Sequence, residues 1–214
     1  MKTNSLSLIS KITFTLFAFI ALSCSNDSEI DSSDNANEQS IYQMLESSNA
    51  PATTERNGAP KKGDESIAEI AIAANFTQLV SALAYVDAEL DAGLVDLFLN
   101  GTDQYTVFAP TDDAFYALYD GIEGVEDITD LPADLVLNVL LYHVTNGRRA
   151  SNSVVPQNGV KTIQTLLGES FQVDTDPKII AIGNMANFVS PDLINISASN
   201  GIIHVIDTVL LPFN

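Results

Sequence analysis

The chain has no tryptophan, one cysteine and two histidines among 214 residues, and its nine lysines and arginines face 28 aspartates and glutamates. Each scarcity closes off a class of function. A lone Cys24 cannot form an internal disulfide, and with only His143 and His204 beside it there is no cysteine-histidine set for a metal. Stability therefore has to come from a buried core. From Glu65 onward the only bases are Arg148, Arg149, Lys161 and Lys178. That leaves no basic footprint, which excludes nucleic acid as a partner and disfavours docking on anionic lipid head groups. A formal charge of −19 instead suits a soluble, non-sticky surface protein.

Hydrophobic runs are short. Ile12 to Leu22 (ITFTLFAFIAL) is nearly free of polarity, but it is too short to span a bilayer and, behind Lys2 and Lys11, has the make-up of a signal-peptide core. It ends in Ala21-Leu22-Ser23-Cys24, which resembles a bacterial lipobox, with cleavage after Ser23 and lipidation of Cys24. An ordinary secretory signal with an incidental cysteine is the alternative. Residues 24–64 are rich in Ser, Asn, Asp and Glu and carry few large apolar side chains, so they read as a solvated acidic tether. Ile41, Tyr42, Met44 and Leu45 are its one candidate helical turn. The acidic run after Cys24 (SNDSEID) resembles the export signal of surface lipoproteins in Bacteroidetes, or is a charged spacer.

Residues 65–214 are sufficient for one domain burying about 70% of its unfolded surface. Ile67, Ile70, Ala71, Ala74, Phe76, Leu79, Val80 and Leu83 recur at helical spacing after Ser66, a natural cap. Leu94, Val95, Phe98 and Leu99 continue that face to Asn100-Gly101, with VDAELDAG (86–93) as the link between helices. A further stripe, Leu135, Val136, Val139, Leu140 and Val144, follows Pro132. Beyond Arg148 the texture becomes β-like, at 162–167, 170–174, 178–182, 187–190 and 193–197, with turn residues between. Helices followed by strands indicate an α+β fold.

Two further segments complete the plan. In YTVFAPTDDAF (105–115) a β-prone run must stop at Pro110, which has no N–H to donate, and Thr111 then caps a helix whose first turn holds Asp112 and Asp113. In NGIIHVIDTVLLP (200–212) a turn precedes a strand with almost no polar face, which marks a strand covered on both sides. With LLYHVTNG (140–147) between them, these blocks resemble the signatures of the fasciclin domain, over about Ser66 to Asn214 and in the family's order. That resemblance implies a strand-rich wedge or sandwich with helices at one side, and an extracellular adhesion and binding role. It also points to Tyr142 and His143, since the tyrosine-histidine region of animal fasciclin domains is linked to integrin recognition. Core packing is the other reading of the pair.

No catalytic set emerges. His204 and Asp207 stand three apart in a strand and so point to opposite faces, and no nucleophile elbow accompanies them. His204 reads as a packed, hydrogen-bonded residue and Asp207 as a partner of backbone or a turn. The acidic loop 120–130 attracts comparison with calcium sites but lacks EF-hand spacing. Arg148 and Arg149 read as salt-bridged to nearby acids, or else as contacts for an acidic sugar. The expectation is a non-enzymatic lipoprotein without cofactor or metal, held through Cys24 to the outer membrane at the surface of a bacterial cell and recognising an extracellular protein or glycan. An accessory binder for surface carbohydrate uptake is the alternative, which the lack of tryptophan weakens, and an enzyme is the third reading.

Overall fold

A computed structural model describes residues 61–214. The signal segment, Cys24 and the tether up to residue 60, including the turn expected at 41–45, lie outside the described residues. Ser66 opens α1 (Ile67–Ala73) with a capping box: its Oγ accepts from the Glu69 N–H at 3.3 Å, and the Glu69 carboxylate accepts from the Ser66 N–H at 2.7 Å. The next helix, α2 (Thr77–Leu90), runs through most of the expected link. The chain then turns at Asp91 and Gly93, both left-handed, with φ of 51° and 69°. Asp87 reaches over that turn and accepts from Leu94 N and Val95 N, each at 2.8 Å. It thereby caps α3 (Leu94–Asn100), whose own N-cap is a glycine. Leu94 and Phe98 of α3 are buried while Val95 and Leu99 are exposed, so only half of the expected apolar face reaches the core.

β1 (Tyr105–Pro110) ends at its proline, and Thr111 caps α4 (Asp112–Asp120) by accepting from Ala114 N at 3.3 Å. α5 (Ala133–Tyr142) follows Pro132. Val144, which the periodicity placed on this helix, instead begins β2 (Val144–Asn146), because it pairs antiparallel with Val107 of β1. A short α6 (Ser151–Val154) interrupts the β-like region. Five strands follow before the last: β3 (Lys161–Gln164), β4 (Ser170–Val173), β5 (Lys178–Ile180), β6 (Met185–Asn187) and β7 (Ile194–Ser197). Three lie within the expected runs, and β3 begins one residue ahead of its own. β6 starts ahead of its run, which leaves Phe188 as an isolated bridge to Ile206. β8 (Gly201–Ile206) is the terminal strand.

The strands form two four-stranded sheets, ordered β2-β1-β8-β7 and β3-β4-β5-β6. β1 and β8 lie parallel, in register from Tyr105↔Gly201 to Pro110↔Ile206, so the first and last sequence blocks are neighbours in space. Alternation along these strands explains why neither has a polar face. Val107, Ala109, Ile203 and Val205 join the core that holds Phe76, Ala82, Val86 and Leu140 of the helices. Phe108 and Ile206 join a second core with Ile163, Phe171 and Ile179 of the other sheet. Phe108 stands edge-on to Phe171 with centroids 4.9 Å apart, and truncating such an aromatic to alanine costs about 3–5 kcal/mol. The result is an α+β domain, with helices on one side of the first sheet and the second sheet on the other.

Candidate functional site at the end of the third long helix

Tyr142 and His143 close α5, and both are buried. The Tyr142 ring stands edge-on to Phe171 at 5.9 Å. Its hydroxyl donates to the Ser170 carbonyl at 3.1 Å and accepts from Ile182 N at 3.4 Å, and burial raises its pKa. His143 Nε2 accepts from Leu210 N at 2.9 Å. The proton therefore sits on Nδ1, which donates to the Val139 carbonyl at 2.7 Å. This neutral imidazole ties the end of α5 to the segment after β8, and desolvation pushes its pKa down to about 4. Of the two readings of Tyr142 and His143, the geometry favours core packing, because both side chains face inward with their polar atoms engaged.

His204 is equally internal. Its Nδ1 accepts from Asn195 N at 3.2 Å, so Nε2–H donates to the Arg149 carbonyl at 2.9 Å. Phe108 and Phe188 flank the ring at 5.4 and 5.9 Å, and burial again lowers its pKa to about 4. Asp207 lies just past the strand and accepts from Asn187 N and Nδ2, both at 2.8 Å, and from Thr208 Oγ1 at 2.9 Å. Desolvation raises its pKa, but these hydrogen bonds outweigh that and hold the carboxyl below its ordinary range. The two residues have separate partners.

Arg148, expected to pair with acids, donates to the Ala198 carbonyl at 2.8 Å, the Gly201 carbonyl at 2.5 Å and the Ser197 hydroxyl. Arg149 Nε donates to the Asn146 carbonyl at 3.0 Å. Their fixed forks therefore hold the turn before β8 and the end of β2. The acidic loop organises itself. Asp127 Oδ1 accepts from Thr129 N at 2.7 Å, and Asp130 Oδ2 accepts from Glu126 N at 2.8 Å and Asp127 N at 3.1 Å. Among the described residues no group of three or more His, Cys, Asp or Glu side chains is placed to hold a metal ion.

Beside His143 the structure opens into a pocket of about 490 Å³ between α2, α4, α5 and the segment after β8. Its lining passes from exposed Ala117, Ile122 and Phe213 to buried Ala82, Leu140 and Val209. The polar side chains there are those of His143, Asn184, Asp207 and Thr208. A volume of this order is within the range that small-molecule sites occupy.

Residues 74–212 match the model of the Fasciclin domain. The chain belongs to the fasciclin domain family. Protein sll1483 of Synechocystis sp. is 35% identical over 167 residues, which cover 75% of this chain and 83% of that protein. The immunogenic protein MPB70 of Mycobacterium bovis is 34% identical over 146 residues, covering 67% of this chain and 68% of its own. A solved FAS1 domain pair from the insect cell adhesion molecule Fasciclin I aligns with a TM-score of 0.43 at 16% identity, over 62% of this chain and 45% of that one.

Two polar residues of this fasciclin domain carry more than their sequence contexts announced. Asp112 does begin α4, but its carboxylate also accepts from Gln78 N at 3.0 Å, from Thr77 N at 3.3 Å and from the Thr77 hydroxyl. One buried acid thus serves the N-terminal ends of two helices, where the dipole favours it. Asn200, read as a turn residue, is 3% exposed. Its Oδ1 accepts from Ile67 N and its Nδ2 donates to the Phe98 carbonyl, both at 2.8 Å. It joins the start of α1 to α3. Gly201 beside it is obligatory, since a Cβ there would lie 2.3 Å from the Tyr105 carbonyl oxygen. A signal existed for neither role beyond the residue types, because both depend on contacts far away in the chain.

Proposed function

We propose that this is a non-enzymatic binding module displayed at a bacterial cell surface, anchored through a lipid on Cys24 and held off the membrane by residues 24–64, where it recognises an extracellular protein or polysaccharide. The fasciclin match across nearly all of the described domain carries the reading, because the family resemblance implies adhesion and binding. Supporting it, the side chains that invite a catalytic interpretation, His143, His204 and Asp207, are each committed to structural hydrogen bonds. Recognition then falls to the surface, where many anchored copies turn individually weak contacts into avidity. Among the described residues no helix is long and apolar enough to cross a membrane, in keeping with attachment through the N-terminal cysteine.

The test is intact mass and external protease accessibility on cells making the native chain or Cys24→Ala. A mature mass beginning at an acylated Cys24, with the domain removed by added protease, supports surface display. A product that is unlipidated or shielded from protease refutes the anchored reading. Binding of the released domain to immobilised matrix proteins and to glycans then separates an adhesin from a carbohydrate-uptake accessory.

A further inference from the structure

We propose that the pocket beside His143 binds an uncharged, lipophilic small molecule, a role that goes beyond surface adhesion and does not depend on it. Its volume, about 490 Å³, falls within the roughly 300–1,000 Å³ of small-molecule sites.

The chemistry of the walls selects the ligand. Most of the lining is aliphatic or aromatic, from Leu79 and Phe115 to Leu140 and Val209. The polar members are engaged elsewhere. Both His143 nitrogens bond backbone groups. Asn184 Nδ2 donates to the Val209 carbonyl at 2.7 Å and its Oδ1 accepts from Leu211 N at 3.1 Å. Asp207 and Thr208 bond each other, and Asp207 also holds Asn187. Among the described residues no buried side-chain nitrogen or oxygen lacks a partner. The interior therefore has no unmet polar group to reward a polar ligand, and apolar area is what it offers.

The mouth excludes the alternatives. Ile122 and Phe213 line it and are exposed by 38% and 40%. Single exposed apolar residues need no explanation, but a set of them around an apolar cavity marks a place of entry. Asp120 and Glu123 flank Gly121 and Ile122, and Asp207 lies in the lining. These acids repel an anionic head group such as a fatty carboxylate. They also repel the same mouth on a second copy, itself carrying the formal charge of −19. With anions repelled, and no unmet buried polar side chain to hold a charged group inside, the complement is a neutral lipophile.

The experiment titrates the unlipidated full-length chain, carrying Cys24→Ala, with phenylnaphthylamine, an uncharged probe that brightens on leaving water. Saturable binding is expected, with anionic anilinonaphthalene sulfonate about tenfold weaker or worse. Ala117→Trp fills the mouth from an exposed position on α4, and is expected to weaken the probe by about tenfold or more without lowering the melting temperature. Val160→Trp, exposed and outside the lining, is expected to leave binding unchanged. No saturable binding overturns the proposal, as does an Ala117→Trp chain that binds as well as its parent. Equal affinity for the anion does so too, and so does sedimentation showing a dimer that Ala117→Trp separates without altering probe binding.

Discussion

Acidification is expected to destabilise this domain through its two histidines. Both imidazoles are neutral in the fold, with pKa values held at about 4 against an ordinary 6.5 by burial. For His143, a second ring proton would set Nε2–H against the Leu210 N–H that it now accepts from. For His204, protonating Nδ1 would do the same to Asn195 N–H. Between the folded and unfolded values the unfolded chain binds more protons, so stability is complete above the unfolded pKa and falls as the pH drops toward the folded one. The full gap is worth about 3 kcal/mol per histidine, and the part crossed between pH 7 and pH 5 about 2, or about 4 for the pair. Denaturant unfolding at several pH values measures the slope, and His143→Gln, which lowers stability at neutral pH, is expected to remove about half of it. A wild-type stability that is flat from pH 7 to pH 5, or a His143→Gln chain with the parental slope, would refute the reasoning.

Three further substitutions test the internal hydrogen bonds. Asn200→Ala leaves the buried Ile67 N–H and Phe98 carbonyl without their partner, and is expected to cost about 2–4 kcal/mol in equilibrium unfolding; a loss under half a kcal/mol would show that it is not a joint. Asp112→Ala uncaps α2 and disturbs the start of α4, with an expected loss of about 2–3 kcal/mol and faster amide exchange at Gln78; unchanged exchange there would deny the cap. Tyr142→Phe keeps the ring against Phe171 but removes the bonds to Ser170 and Ile182, so about 1–2 kcal/mol is expected and binding of extracellular ligands should persist. Lost binding at full stability would restore Tyr142 as a recognition residue.

The architecture was legible wherever local chemistry and tertiary demand agreed. Pro110 and Thr111 end one element and begin another by properties of single residues, and the unbroken apolar run of β8 announced a strand covered on both faces. Where the two disagreed, tertiary pairing won. Val144 has helical spacing from Leu140, but pairing with Val107 claimed it for β2. Residues 86–90 looked like a link because VDAELDAG mixes acids and glycine, yet Asp87 is there to cap α3 from across the turn, a role that spacing cannot disclose. The same limit hid the pocket. Its walls include Leu79 and Leu140, which sequence reading placed on the apolar stripes of helices. Periodicity reports that a side chain turns inward, but not whether the elements meeting there close completely. At the end of α5 they leave a space. His143, open in sequence to either a recognition or a packing role, lines that space and has both nitrogens on backbone. Its place in a signature block then follows from joining α5 to the terminal segment and so fixing one wall of the pocket.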